Sequence, residues 1–258
     1  MKKISWILVL SLFAANHYCA GQDFKAIYKV EQEINMPTPD GKQFSLSLPY
    51  EGVLAKAGAN HIYFQKPLYL DKYPNGIATQ SDKAGSFFQM ELVMDTIQQI
   101  SYNNTDSLTF RMSMESASSS IYRSYSSRKF EMGVHQWVLV NETKNIDGLH
   151  CQRAKLYRDV EQKELIWEIW FCPEIDIQFG PLYTRDLPGL LVEGTFFGGS
   201  ISTVVKLISY DSEKLDQSIF WPPPFSNAKF SELPALKKPH HSTAPKTKDQ
   251  KKAEIVNQ

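Results

Sequence analysis

No Gly-x-Ser-x-Gly elbow, P-loop, Gly-x-Gly-x-x-Gly turn or His-Glu-x-x-His pair occurs in these 258 residues. The local signatures of α/β-hydrolase, nucleotide and zinc-protease chemistry are therefore absent. Net charge is zero and cysteines number three. Past the N-terminal stretch, no apolar run approaches the roughly 20 residues needed to cross a bilayer. Helical patterns are scarce and no internal repeat is visible.

The charge balance hides an asymmetry. Residues 22–221 carry 19 Lys and Arg against 25 Asp and Glu, whereas residues 222–258 carry 7 Lys against 3 acidic residues. An acidic body lacks the basic face that nucleic acid requires, so nucleic acid is not an expected partner. The tail from Pro222 begins with three prolines and continues as Lys, His, Ser, Thr and Gln with little apolar content, the composition of a disordered basic arm. His240 and His241 on that arm supply too few fixed ligands to hold a metal.

At the N-terminus, Lys2 and Lys3 precede an apolar run from Ile4 to Ala15, and small residues follow at Cys19, Ala20 and Gly21. This is the layout of a cleavable signal peptide over residues 1–21. Lipidation of Cys19 is disfavoured by Asn16, His17 and Tyr18 just before it. The expected mature chain is exported, to the periplasm, the outer-membrane surface or beyond, with no transmembrane span after cleavage.

Two cysteines then remain, Cys151 and Cys172, and in an oxidising compartment they read as a disulfide. Their setting supports the pairing. Residues His150–Asp159 and Leu165–Cys172 are extended patterns around a polar turn near Glu161, a β-hairpin. Centring the turn between Glu161 and Gln162 sets Cys151 opposite Cys172 and Lys155 opposite Glu168. Ala154, Leu156, Leu165, Trp167, Ile169 and Phe171 then share a core face. That register also sets Asp159 against Glu164, so a looser loop is expected.

Extended patterns dominate elsewhere: Phe24–Asn35, Phe44–Lys56, His61–Gln65, Phe87–Asn103, Ser107–Glu115, Trp137–Glu142 and Leu191–Ser209, separated by Gly-, Asn- and Asp-rich turns. The expectation is a mainly β protein over residues 22–221. Its sheet would be large, curved and antiparallel, a half-open barrel or bowl with one or two short helices. Asp211–Phe220 is the helical candidate, and the Ser-rich segment Ser113–Arg128 reads as a loop or frayed strand.

One segment is more specific. It runs Ile146–Asp147–Gly148 through Cys151 to Ala154, then Trp170–Phe171–Cys172–Pro173–Glu174–Ile175, Gly180–Pro181, and Leu187–Pro188–Gly189–Leu190–Leu191. In order and spacing this resembles the GLPGLI family of exported proteins, known mainly from Bacteroidota. The resemblance is close from Trp137 to Glu193. Two positions depart from the family's name motif: Asp186 stands at the first glycine and Leu191 at the final isoleucine. The resemblance implies kinship with a bowl-shaped N-terminal domain of a secreted glycoamidase and, more distantly, with periplasmic lipoprotein carriers; such analogies fix fold, not function.

Physically, Pro188 and Gly189 make a tight turn with Leu187, Leu190 and Leu191 around it. Such a turn is a core clasp under the sheet or a plug that touches ligand. Trp167, Trp170, Phe171 and Arg185 are the candidates to line a ligand, apolar or glycan-like. Among catalytic options, His61, His135 and His150 are widely scattered, and Glu174 and Asp176 share a strand face at i, i+2 spacing. None forms a recognisable constellation, and no cofactor is implied. Short Asp-Thr-Ile and Asp-Ser-Leu triplets at Asp95 and Asp106 resemble O-glycosylation sites, and Asn103 and Asn141 lie in Asn-x-Ser/Thr sequons. The expected function is non-enzymatic binding. The alternatives are an accessory protein docked on an outer-membrane partner, and a hydrolase.

Overall fold

A computed structural model of the protein describes residues 23–223, apart from 38–40, 42, 82–86, 117–121, 160, 162 and 213. The signal segment and most of the basic tail, with His240 and His241, lie outside the described residues.

Thirteen strands are present among the described residues: β1 (Phe24–Pro37), β2 (Gln43–Ala57), β3 (Asn60–Pro67), β4 (Ile77–Ser81), β5 (Phe87–Glu91), β6 (Gln98–Asn104), β7 (Thr109–Ser116), β8 (Tyr122–Lys129), β9 (Val138–Ile146), β10 (Leu149–Tyr157), β11 (Leu165–Cys172), β12 (Leu190–Gly198) and β13 (Ile201–Asp211). Eleven form one antiparallel sheet in the order β8-β7-β6-β3-β2-β1-β13-β12-β11-β10-β9, and β4 and β5 pair separately. The two halves are meanders joined where β1 meets β13, Val30 opposite Val205. β8 and β9 remain unpaired edges, so the sheet is a bowl and not a closed barrel.

The connectivity itself requires curvature. Lys129 ends β8 at one edge and Val138 begins β9 at the other. Nine residue steps span at most about 32 Å of extended chain, whereas ten strand spacings in a flat sheet would need about 48 Å. The sheet must curl to bring its edges within reach.

Alternation along β1 sends Phe24, Ala26, Tyr28 and Val30 to the concave face, as period-2 geometry demands. They meet Leu54 and Tyr63 from β2 and β3, and Trp167, Ile169 and Phe171 from β11. The Tyr28 hydroxyl donates to the Leu191 carbonyl at 3.1 Å, tying β1 to β12. Two excursions fill the bowl. One is the β4–β5 hairpin with its flanks, which buries Tyr69, Ala78 and Leu92. The other is the loop Pro173–Gly189 between β11 and β12, which buries Ile177 and Leu187. On the convex side, Val53, Ala55, Ile62, Phe64 and Ile100 are covered by a C-terminal strap with Leu215 buried, and Trp221 sits 5.5 Å from the Phe64 ring.

Four expectations change. The run Leu191–Ser209 is two strands, reversed at Gly199 (φ +74°). The run Phe87–Asn103 breaks between β5 and β6, where the Gln98 amide donates to the carbonyls of Val93 and Asp95 and rounds off a turn. The Ser-rich segment is an edge hairpin, β7 with β8, whose register sets Arg111 opposite Ser127. The Asp211–Phe220 helix is reduced to one 3-10 turn, Gln217–Ile219. There an extended chain, at about 3.3 Å per residue against 1.5 Å for a helix, covers more of the exposed strands.

Candidate ligand site under the motif loop

The hairpin register matches the sequence reading. Lys155 faces Glu168, and Gln152 faces Phe171, so the next pair outward is Cys151 and Cys172. Both are buried and stand as free thiols. Burial and the hydrogen bond it donates to Glu174 (3.0 Å) push the Cys172 thiol up to about 12. Burial also raises Cys151. Neither is an ionised nucleophile at neutral pH. The loop is looser than a tight turn, as anticipated. Asp159 accepts the backbone N–H groups of Lys163 (3.1 Å) and Glu164 (3.0 Å), and the Arg158 N–H bonds the Glu164 carbonyl. The Asp159–Glu164 charge conflict is relieved because the carboxylate caps the turn.

The motif residues converge on the loop. Leu187, Leu190 and Leu191 are buried. The backbone of Gly189 lies so close to β11 that a Cβ there would stand 2.3 Å from the Cys172 carbonyl oxygen. At Gly180 a Cβ would meet Leu187 and Thr184 at 2.6 Å. Gly189 is required by close approach to backbone, whereas at Gly180 the near atoms are the side-chain ends of Leu187 and Thr184. Pro181 is buried at the start of a turn closed by Thr184, whose N–H and hydroxyl both donate to the Pro181 carbonyl. Asp186 adopts φ +55°, the left-handed region that glycine favours and Asp tolerates. Leu182 (φ +53°) and Tyr183 (φ +63°) are left-handed as well.

The four candidate lining residues separate. Trp167 and Phe171 are buried in the concave core. Trp170 points to the convex side, where Lys144 Nζ lies 4.4 Å above its ring. It borders a shallow depression of about 310 Å³ with Glu168, Glu193, Val204 and Lys206. Charges there are internally matched: Glu193 bonds Lys144 at 2.9 Å and Lys206 at 3.4 Å, and the Lys144 hydrogen bond is the main cause of its lowered pKa. Arg185 lies far from all three, over the rings of Phe110 (5.6 Å) and Phe130 (5.5 Å).

Around Arg185 the loop crosses to the opposite half of the bowl. Phe179 lies 4.5 Å from the His61 ring and 5.9 Å from Phe130. The Tyr183 ring meets Phe110 edge-on, and its hydroxyl donates to the Ser113 carbonyl at 3.0 Å. The Trp137 indole N–H donates to the Arg185 carbonyl at 3.1 Å. Beneath the loop the sheet register runs His61–Asn103–Phe110–Arg128 across β3, β6, β7 and β8.

This half of the bowl has an unusual floor. Of the eight buried polar residues among the described residues, His61, Gln65, Gln98, Ser101, Asn103 and Ser113 all lie on β3, β6 and β7. Gln65 donates to the Tyr63 hydroxyl at 2.9 Å, but its Oε1 has no hydrogen-bond partner among the described residues, and neither has Asn103 Oδ1. Buried polar atoms are normally satisfied, so each such orphan calls for a reason. Burial, then the Lys56 charge, lowers the His61 pKa to about 4 and keeps the ring neutral. No local sequence signal marked Gln65, Asn103, Phe110, Phe179 or Tyr183; polar residues alternating with apolar ones read as a solvated strand face.

The catalytic candidates stay apart. His61 is on the floor, His135 on the β8–β9 link beside Asp186, and His150 exposed on β10. Glu174 and Asp176 are exposed at the start of the loop. Among the described residues no group of three His, Cys, Asp or Glu side chains could hold a metal, and no helix is long and apolar enough to cross a membrane. Thr96 and Ser107 are exposed, whereas Asn103 is buried and closed to modification in the folded protein.

No protein-family model matches the chain, and no curated protein matches it. Among solved structures, PNGF-II is similar in two crystal forms, with TM-scores of 0.45 and 0.43 at 13% and 14% identity. The matches cover 81% and 78% of this chain but only 30% of PNGF-II, so the chain spans under a third of that protein. A LolA superfamily protein from Nitrosomonas europaea (TM-score 0.25, 10% identity) is matched over 79% of this chain and 91% of its own. A DUF1329 family protein from Desulfovibrio piger (TM-score 0.26, 13% identity) is matched over 78% and 90%.

Proposed function

We propose that the protein is an exported, GLPGLI-like binding protein that holds an apolar or glycan-like ligand in its concavity, with the motif loop as its cover and no catalytic role. The observation that carries this reading is the floor beneath Phe179 and Tyr183. A bowl meant only to be filled would be apolar throughout, as it is under Leu187 and Leu190. Here six buried polar residues lie on three neighbouring strands, with His61 against the Phe179 ring and Asn103 opposite Phe110. Apolar walls with a few convergent polar groups are the composition of ligand sites. In this reading Leu187, Pro188, Gly189, Leu190 and Leu191 anchor the loop, and the segment Phe179–Arg185 covers the site. The export signal and the Cys151–Cys172 disulfide belong to the same proposal: an oxidising compartment would join the two opposed thiols and staple the base of the loop.

Native mass spectrometry of the mature protein, released gently from its own envelope, tests the reading. A bound mass that denaturation liberates is expected. A clean apo mass from a folded sample would overturn it. That result would favour an accessory role, which draws on the exposed Val204 and Ile208 of β13.

A further inference from the structure

We infer that the loop segment Phe179–Arg185 occupies the seat of a neutral carbohydrate, and that ligand binding exchanges the segment for sugar. The inference rests on the binding reading above and names its ligand class. Two observations lead there.

The first is the unpaired amides. Gln65 and Asn103 are 1% and 4% exposed, and each carries an oxygen without a partner among the described residues. An acyl chain has nothing to offer them. A sugar hydroxyl both donates and accepts, so it satisfies either amide whichever way round its oxygen and nitrogen are placed. Phe110, opposite Asn103 in the strand register, and Phe130 supply the flat apolar faces that the C–H face of a pyranose needs, and Phe179 now fills the space against them. The charged side chains nearby are already engaged: Arg128 and Arg185 lie over the Phe110 ring. A neutral glycan therefore fits better than an anionic one.

The second is how the segment is held. Leu182 and Tyr183 are consecutive non-glycine residues in the left-handed region, a conformation that stores strain in each. The tip is fixed by a short turn, Gly180 N–H to the Thr184 carbonyl and Thr184 N–H to the Pro181 carbonyl, and by the Tyr183 hydroxyl on Ser113. The firmer anchors lie on its C-terminal side, at Asp186 and at buried Leu187. Phe179 and Tyr183 thus occupy aromatic and hydroxyl positions that a sugar could fill, and release relieves two strained residues.

The test uses the whole mature protein. Neutral oligosaccharides (manno-, xylo-, cello- and chito-hexaose), the same sugars carried on glycopeptides, and a fluorescent fatty acid are titrated in parallel. Hydrogen exchange is followed across residues 179–185. Expected is saturable binding of at least one sugar in free or peptide-linked form, with faster exchange at Gly180 and Thr184. The Asn103→Leu variant should bind that sugar roughly tenfold more weakly while melting no lower than wild type, because it removes an amide that has no partner in the unliganded fold. Binding of the fatty acid alone would overturn the carbohydrate inference and leave the binding reading standing. No binding of any probe would overturn both. Sugar binding without a change in exchange, or with undiminished affinity in Asn103→Leu, would place the ligand elsewhere and defeat the inference.

Discussion

Asp186 accepts the backbone N–H of His135 at 2.9 Å through Oδ2, and the same carboxylate takes the Gly133 N–H at 2.7 Å through Oδ1. One side chain of the motif loop therefore holds the link that joins the two open edges of the sheet. Asp186 stands where the resembled family has glycine. It keeps the left-handed backbone and adds a clamp. Asp186→Ala should lower stability by about 2–3 kcal/mol, combining the loss of two hydrogen bonds to a carboxylate with the left-handed cost of a Cβ that lacks a compensating polar group. Asp186→Gly should lose about 1 kcal/mol less, since glycine removes the conformational cost. Urea unfolding of both variants checks the order. Equal losses would mean that the backbone conformation at residue 186 carries no weight.

Gly189 tests the fit of the loop against β11. A methyl group at 2.3 Å from the Cys172 carbonyl cannot be accommodated without moving one strand. Gly189→Ala should cost about 3 kcal/mol or more, in the range of severe overpacking. Pro188→Ala, which only loosens the unfolded chain, should cost about 1 kcal/mol or less. Thermal melts separate the two. If both variants melted normally but lost bound ligand, the motif would be a recognition element and not a clasp.

The legibility of this protein in its sequence was uneven, for reasons that can be located. The β10–β11 register was readable because Ala154 and Leu156 alternate with Arg153 and Lys155 opposite Ile169 and Trp167, and Lys155 and Glu168 fix the phase. The β12–β13 turn was not, because Gly198–Gly199–Ser200 interrupts a run that stays β-forming on both sides. β8 was obscured by serines that tolerate an edge strand without requiring one. The helix expected after Asp211 has helical composition, but Leu215 is drawn onto Val53 and Phe64, and tertiary packing overrides local preference there. The site was hardest of all. His61 meets Phe179, and Gly133 meets Asp186, only because the sheet curls, and no local pattern carries that distance.

His61 gives the floor a signature in pH. Its pKa falls from about 6.5 in an unfolded chain to about 4 in the fold, through burial first and Lys56 second. The unfolded state therefore binds the proton more readily between those values. Stability is full above about pH 6.5 and is lost progressively as pH falls toward 4, at up to about 1.4 kcal/mol per pH unit, a total on the order of 3 kcal/mol. His61→Gln should flatten this segment of the stability profile, measured by urea unfolding from pH 7 to pH 4. An unchanged slope would show that other groups carry the acid sensitivity.

The opposed thiols supply the last test. Cys151 and Cys172 continue the β10–β11 register, and directly opposed strand residues lie within disulfide reach. Chain exported to an oxidising compartment should show an intact mass lower by two hydrogens than the reduced form. The bond should add about 3 kcal/mol, the entropic value for a closed loop of roughly 20 residues, so reductant should lower the melting temperature. The reduced protein should be slow to alkylate at pH 8 while folded, because burial holds the Cys172 thiol up near 12 and the reactive thiolate is scarce. Unfolding in urea should then expose both sulfurs at once. Rapid alkylation of the folded, reduced protein would show instead that the base of the loop opens without global unfolding. In that case the Cys172–Glu174 contact would mark a hinge, and the stability gained from the bond would come from closing that hinge and not from constraining the unfolded chain.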